Sequence, residues 1–504
     1  MERLGAALVA GGDTRCEIVP STGNNAYHCP PLPVAGQIIR GSCTGSPPCQ
    51  AGVDASLAEM KRLEAQAATL GEGSDAYLSA FDDAMEAVRT RLAASLGLPA
   101  GSGIFLSASG TDAEYIPLAI GQQLHPASAI RSVLAADGET GSGGTNACCG
   151  RYFDKIVPLA GPEEGAGPRE VGGLLEGFDE IEQLCIAARE PDGAVRDVRA
   201  AVTAHAPAWG GGAAGGGAGG GGAEPPVWVM RQVLGTKTGF STPKLESAAS
   251  AGERVIHVAD LCQMRQPASV VRAAIEAGAC ALITGSKFFQ GSAFSAATIV
   301  PPGLMDELKA SASAVGTPAL PAGLRDFFSR FEVPRSLPHW RAQLGATANR
   351  GLLLRWHTAL PLVEGVYALP DGARDEIEAA WTERVVALVE AADDIDVVHT
   401  EVGIVSIALR KADGTRCGRD ELRILHRHLA TDASALPGAA GCADIATRCF
   451  IGQPVGFTSE YAVLRIAIGA EAVLDMANGN DGAEADATVV RKLDWLLHNL
   501  DELK

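Results

Sequence analysis

Residues 255–289 read VIHVADLCQMRQPASVVRAAIEAGACALITGSKFF, and this stretch constrains the fold more than any other. A short apolar run, Val255-Ile256-His257-Val258-Ala259, is closed by an acid, Asp260. An amphipathic segment follows, with Val270, Val271, Ala274 and Ile275 at helical spacing and Gly278 as a stop. A second apolar run, Ala281-Leu282-Ile283-Thr284, leads to Ser286-Lys287. Strand, crossover helix, strand is a βαβ unit, which lays both strands parallel in one sheet. Ligands bind outside the carboxyl ends of such strands. The sequence therefore places Asp260 and Lys287 at one edge.

An acid and an amine at that edge suit a cofactor with a basic ring nitrogen at one end and an aldehyde near the other. Pyridoxal phosphate (PLP) has both, and its protein partners are a Schiff-base lysine and an acid on the pyridinium nitrogen. An anion site stands upstream. The strand expected at 104–108 runs into Ser109-Gly110-Thr111, which is expected to open a helix through Leu118. Such a turn offers backbone N–H groups, two hydroxyls and the positive end of a helix dipole. The same residues could form an ordinary N-cap. Further strands are expected at 132–136 and 227–234, each ending in a loop at the same edge. The first loop, 137–144, holds no aromatic residue to cover a cofactor ring, so the stacking residue is not identified. In the second, Thr236 or Lys237 could contact cofactor or substrate, or simply form a turn. It is not a Walker A loop, because the spaced first glycine is missing.

Elsewhere the patterns are plainer. A helix is expected from Ser74 to Leu96, with Ser74 as N-cap and Gly97 as stop. Residues 1–52, rich in Pro, Gly, Cys and Asn, read as an arm lying on other structure; its Asn24, Asn25 and Tyr27 could reach a site. Residues 53–330 would form a large α/β domain, with a flexible Gly-rich insertion at about 207–224. Residues 331–504, with strands near 396–400, 403–410, 449–457 and 462–468 among helices, would form a smaller α/β domain.

The net charge of −19 disfavours nucleic acid and anionic membranes as partners. The 12 cysteines form neither a disulfide framework nor a CxxC pattern, which suits a reduced, cytoplasmic enzyme. His426, His428, Cys442 and Cys449 fit no standard zinc spacing, and no metal is expected. No signal peptide is read at the N-terminus, and no apolar run reaches the ~18 residues that span a bilayer.

Taken in order, Ser109-Gly110-Thr111, Asp260 with Gln263, Ser286-Lys287 and Leu464-Arg465-Ile466 resemble the marks of a known family. The chain is similar to the fold-type I PLP-dependent enzymes of the aspartate aminotransferase superfamily, nearer the class V aminotransferases and cysteine desulfurases. The resemblance covers most of residues 55–470. It implies a mainly parallel seven-stranded sheet in the large domain, and a homodimer. It also implies roles. Lys287 would carry PLP as a Schiff base, and Asp260 would hold the ring nitrogen. Gln263 would contact the ring oxygen or the Schiff-base region. Ser109, Gly110, Thr111 and Ser286 would hold the phosphate. Arg465 would bind the α-carboxylate of an amino-acid substrate, a bidentate pairing that suits a guanidinium.

The resemblance leaves the reaction open. Aminotransferase is the leading reading, with a lyase (C–S lyase, desulfurase or decarboxylase) as the alternative and a non-catalytic binding protein behind both. A desulfurase needs a mobile cysteine upstream of the carboxylate-binding arginine. Cys442 stands in such a place and Cys449 follows, but the residues around them do not match the desulfurase loop.

Overall fold

The computed structural model describes residues 1–159, 168–210, 224–243, 254–312, 319–439 and 441–504. Its strands are β1 (Ile38–Arg40), β2 (Gly103–Ser107), β3 (Ile130–Asp137), β4 (Glu182–Ala187), β5 (Val227–Val233), β6 (Arg254–Asp260), β7 (Cys280–Thr284), β8 (Ala296–Val300), β9 (Ile395–Glu401), β10 (Ile404–Leu409), β11 (Cys449–Gly456) and β12 (Ala462–Ala467). They form two sheets.

The larger sheet has 7 strands in the order β2-β8-β7-β6-β5-β3-β4. β4, β3, β5, β6 and β7 pair in parallel. β8 is antiparallel to both neighbours, so β2 points the same way as β7. This is the mainly parallel sheet expected from the sequence. β2 and β7 are buried along their whole length, which is why they read as unbroken apolar runs rather than alternating ones. The crossover helix Ala268–Glu276 buries Val271 and Ile275 against the sheet. Register places Asp260 beside Val233 on one side and Leu282 on the other.

The smaller sheet has 5 strands in the order β1-β11-β12-β10-β9. All its pairs are antiparallel except β1 with β11, where Ile38 faces Cys449. The N-terminal segment thus supplies an edge strand to a sheet made from the last third of the chain. It is also clamped elsewhere. Arg355, fully buried on helix Arg350–Tyr367, donates hydrogen bonds to the carbonyls of Leu8 (3.0 Å), Ala10 (2.6 Å), Gly11 (2.7 Å) and Phe294 (2.5 Å).

Helix Asp75–Leu96 has the ends its sequence dictates. Ser74 Oγ accepts from the Tyr77 N–H at 3.1 Å, and Gly97 takes the left-handed conformation at φ +60°. Helices Gln50–Leu70 and Arg350–Tyr367 cross closely at Gly52, where a Cβ would lie 2.1 Å from the Thr358 carbonyl oxygen. Most of the Gly-rich insertion at about 207–224 falls outside the described residues. Among the described residues no helix is long and apolar enough to cross a membrane.

Candidate functional site

Because every strand of the large sheet except β8 shares a direction, the residues after β2, β3, β5, β6 and β7 meet at one edge. There they enclose a cavity of about 630 Å³, within the range of small-molecule sites. Ser109, Gly110, Thr111, Asp260, Gln263, Ser286, Lys287 and Arg465 all line it. Every site residue expected from the sequence is therefore brought to one wall, with Arg465 arriving on β12 of the small sheet.

Lys287 follows β7 by a short turn and is half-buried. Among the described residues nothing hydrogen-bonds its Nζ. Asp260, the last residue of β6, accepts from the Cys262 N–H at 2.9 Å through Oδ1. Burial, aided by the Asp260 carboxylate, pushes the Cys262 thiol well up, so that sulfur stays protonated. Gln263 donates from Nε2 to the Cys43 carbonyl at 3.0 Å. Its Oε1 is buried without a partner among the described residues, as are Ser286 Oγ, Thr140 Oγ1 and Arg465 Nε. Arg465 is fully buried; its Nη1 donates to the Lys237 carbonyl at 3.0 Å and its Nη2 to the Gln453 carbonyl.

The Ser109-Gly110-Thr111 turn differs in one respect from expectation. It does not open an α-helix directly. A 3-10 turn, Asp112–Glu114, intervenes, and the α-helix runs Tyr115–Leu124. The reason is local: Ser109 Oγ accepts from the N–H groups of Thr111 (3.2 Å) and Asp112 (3.3 Å), which tightens the chain there. Gly110 has no room for a side chain, since a Cβ would lie 3.0 Å from Cys262 Sγ and 3.3 Å from Thr284 Cγ2. Burial and the nearby Asp13 push the Asp112 carboxyl up to about 7.

No motif or periodicity marks Arg15 as a site residue. Its guanidinium donates to Ser109 Oγ (3.0 Å) and Thr111 Oγ1 (3.2 Å). Asp13 holds it through Nε to Oδ1 (2.8 Å) and Nη2 to Oδ2 (2.6 Å), and the Phe153 and Phe294 rings flank it, each centroid 5.0 Å away. Tyr27 lines the cavity and packs edge-on against Phe294. Asn24 and Asn25 do not line it. Asn25 Oδ1 instead caps the backbone N–H groups of Tyr27 and Cys29, a turn-forming role.

Glu139 fixes the loops after β3 and β5 to each other. Its buried carboxylate accepts from Arg189 Nε (2.6 Å), Thr236 Oγ1 (2.8 Å), and the Thr238 N–H (3.1 Å) and Oγ1 (2.5 Å). Thr236 is thereby spent on Glu139 and is not part of the wall, whereas Lys237 is. Burial pushes the Lys237 amine down to about 7, helped by the positive charges of Arg465, Lys287 and Arg419. No aromatic residue stands in the 137–144 loop; those in the wall are Tyr27, Phe294 and Phe457. Neither Cys442, which is exposed, nor Cys449, which is buried on β11, lines the cavity.

At the level of sequence nothing matches: neither a family model nor a curated relative aligns with the chain. Solved structures do match. The cystine C–S lyase C-DES, in complex with its reaction product cysteine persulfide, superposes with a TM-score of 0.51 at 13% identity, over 91% of this chain and 98% of that one. A variant of C-DES with glycine covalently linked to its PLP cofactor gives 0.50 at 11% identity, over 91% and 97%. The glutamate decarboxylase domain of a diaminobutyrate-pyruvate transaminase and L-2,4-diaminobutyrate decarboxylase from Vibrio parahaemolyticus gives 0.51 at 12%, over 92% and 81%. At such identities the likeness is one of fold. The chain has the fold of the fold-type I PLP-dependent enzymes, as its ordered motifs led us to expect.

Proposed function

We propose that the chain is a PLP-dependent aminotransferase acting on an amino acid. The observation that carries this reading is the convergence of an unpartnered amine (Lys287), a carboxylate outside any ion pair (Asp260) and a buried guanidinium with an unpartnered N–H (Arg465) on one cavity.

The residues fit PLP. Buried polar atoms are costly unless a partner completes them. Ser286 Oγ, Thr140 Oγ1, Gln263 Oε1 and Arg465 Nε all lack one among the described residues, and all belong to the cavity wall. Ser109, Gly110, Thr111 and Ser286 would hold the phosphate, with Arg15 supplying positive charge. Asp260 would meet the ring nitrogen. Gln263 would meet the ring oxygen or the end near Lys287, which would carry the cofactor covalently. Bound there, PLP supplies an electron sink that makes bonds at a substrate Cα easier to break.

The chain's own residues then divide the work. Arg465 orients the α-carboxylate from one side of the cavity. Lys287 Nζ takes the proton from Cα and returns it on the path that moves the amino group from donor to keto acid. Asp260 keeps a negative charge at the far end of the site. An ion pair to Arg465 stabilises the carboxylate, which raises the barrier to losing it as carbon dioxide and favours proton removal instead. A lyase that shares Lys287 and Asp260 is the second reading. Its cysteine-relay form gains nothing from Cys442, which lies outside the wall. The same reading carries a homodimer and a cytoplasmic location, which sedimentation and cell fractionation test.

The deciding experiment is spectroscopic. Purified protein should show the visible absorbance of bound PLP, and borohydride should fix the cofactor's mass on the peptide containing Lys287. Lys287→Ala should be colourless. A panel of amino acids then separates keto-acid-dependent amine transfer from release of sulfide or carbon dioxide. Wild-type protein that binds no added PLP refutes the proposal.

A further inference from the structure

Charge in the cavity wall is unevenly matched. Arg15, Arg189 and Arg196 are paired with Asp13, Glu139 and Glu190, and the acid Glu114 is paired with Arg231; Asp137 and Asp260 are the wall's acids without an ion pair among the described residues. Among the described residues no carboxylate pairs with Lys237, Lys287, Arg419 or Arg465, although all four side chains face this wall. The proposed reaction employs Lys287 and Arg465. It leaves Lys237 and Arg419 without a paired carboxylate; the Glu139 charge reaches the Lys237 amine but is itself paired with Arg189.

These two cations lie close to Arg465 and to each other. The Lys237 carbonyl accepts from Arg465 Nη1 at 3.0 Å. The Lys237 amine has only a long contact, 3.4 Å, to the Gly138 carbonyl. Arg419 begins helix Arg419–Leu429 and stands exposed at the mouth. Its field reaches Lys237 and helps to push that amine down to about 7. An amine so placed is short of an anion.

Arg419 also lines a second cavity of about 370 Å³, which shares Gln453 and Pro454 with the first. Arg423 and Arg427, one and two helical turns on from Arg419, line it too. Arg423 is paired with Asp420 at 2.6 Å, so the positive charge of this roomy space comes from Arg419 and Arg427.

We infer that the substrate is an amino acid with a second anionic group on its side chain, which Lys237 and Arg419 hold where the two cavities join. The inference rests on the aminotransferase reading and narrows its substrate class. A side-chain carboxylate and a phosphate monoester share the required chemistry. With Arg465 on the α-carboxylate and Lys237 beside it, the second anion is bound next to the first, as a short acidic side chain requires.

The test uses holoenzyme of wild type, Lys237→Gln, Lys237→Arg and Arg419→Gln. Donors are glutamate, aspartate and O-phosphoserine against alanine and norvaline. Binding of glutarate and of butyrate is measured in parallel by calorimetry. Wild type should favour the anionic donors, and the three together show whether carboxylate or phosphate fits better. Each Gln variant should lose about 10- to 100-fold in kcat/KM on anionic donors, the worth of one hydrogen bond to a charged group, and little on neutral ones. Glutarate binding should fall with it while butyrate binding holds. Lys237→Arg should restore part of the preference, which a merely folding-related loss would not allow.

Preference of wild type for neutral donors, or an equal loss on all donors, overturns the inference. So does a Gln variant whose chief defect is weaker PLP binding, which would assign Lys237 to the cofactor. Protein that selects glutarate over butyrate yet binds no PLP would refute the aminotransferase reading and leave the anion site standing. Yellow enzyme indifferent to both variants would do the reverse.

Discussion

Replacing Glu139 by Ala should cost about 3 kcal/mol of stability, and the number follows from what the carboxylate holds. Removing one partner of a buried ion pair generally costs ~3–5 kcal/mol, because the other charge is stranded. Here the stranded group is Arg189, whose side chain is 7% exposed. It would keep the Gly193 carbonyl and Thr238 Oγ1, and the Phe240 and Phe457 faces at 5.1 and 4.2 Å. Those contacts place the estimate at the lower end of the range. Urea denaturation should show a lower midpoint at unchanged slope. Removing both charges, as Glu139→Ala with Arg189→Met, should recover most of the loss. A single variant within about 0.5 kcal/mol of wild type, or a double variant as unstable as the two losses summed, would refute the reasoning. The pH dependence has a definite sign. Burial tends to push Glu139 up, but Arg189 and the threonine donors outweigh it and hold the carboxyl below its ordinary value of 4.5. Its contribution is complete above that value and is lost as pH falls below it. The same substitution frees the loop bearing Lys237, so activity should drop further than stability alone explains.

Other outcomes follow from single contacts. Arg15→Gln should weaken PLP binding by about tenfold, measured by cofactor fluorescence, since it removes charged donors to Ser109 and Thr111. Gly52→Ala should destabilise by at least ~1–3 kcal/mol, because the new methyl meets the backbone of the facing helix and cannot be accommodated by a side-chain rotation. Cys442→Ser should leave amine transfer unchanged, and a large loss would bring the sulfur reading back. Turnover of anionic donors should fall as pH rises through about 7, where the Lys237 amine loses its charge, while neutral donors show no such limb.

The parts of the fold that were legible in the sequence are those governed by local rules. The βαβ unit announced itself through two apolar runs and one helical face, and register then put Asp260 between β5 and β7. Ser74 and Gly97 bracketed their helix because capping and the left-handed stop depend on a few neighbouring residues. The α-helix start after Thr111 was missed because Ser109 folds its own hydroxyl onto the turn. Arg15 was out of reach for a different reason. No periodicity marks its segment, and it meets Ser109 only because Arg355 grips the carbonyls of Leu8, Ala10 and Gly11 from the other side of the sequence. The Glu139 clamp was equally hidden, since it joins loops whose meeting depends on sheet order. Lys237 and Thr236 could not be told apart in the sequence; the clamp takes one and leaves the other facing the cavity.

The pairing of β1 with β11 also sets a timetable for biosynthesis. Ile38 must wait for Cys449 to be made before it has a strand to join. At roughly 5–20 residues per second, that interval is about 20–80 s. Throughout it the first segment of the nascent chain, carrying Arg15, Tyr27 and Cys43, lacks its sheet, and until Arg355 is made it lacks that clamp as well. The wall of the cavity is thus completed last, by residues translated first. A ribosome-bound chain halted before Arg355 should leave this segment open to protease, while the βαβ unit behind it already resists digestion.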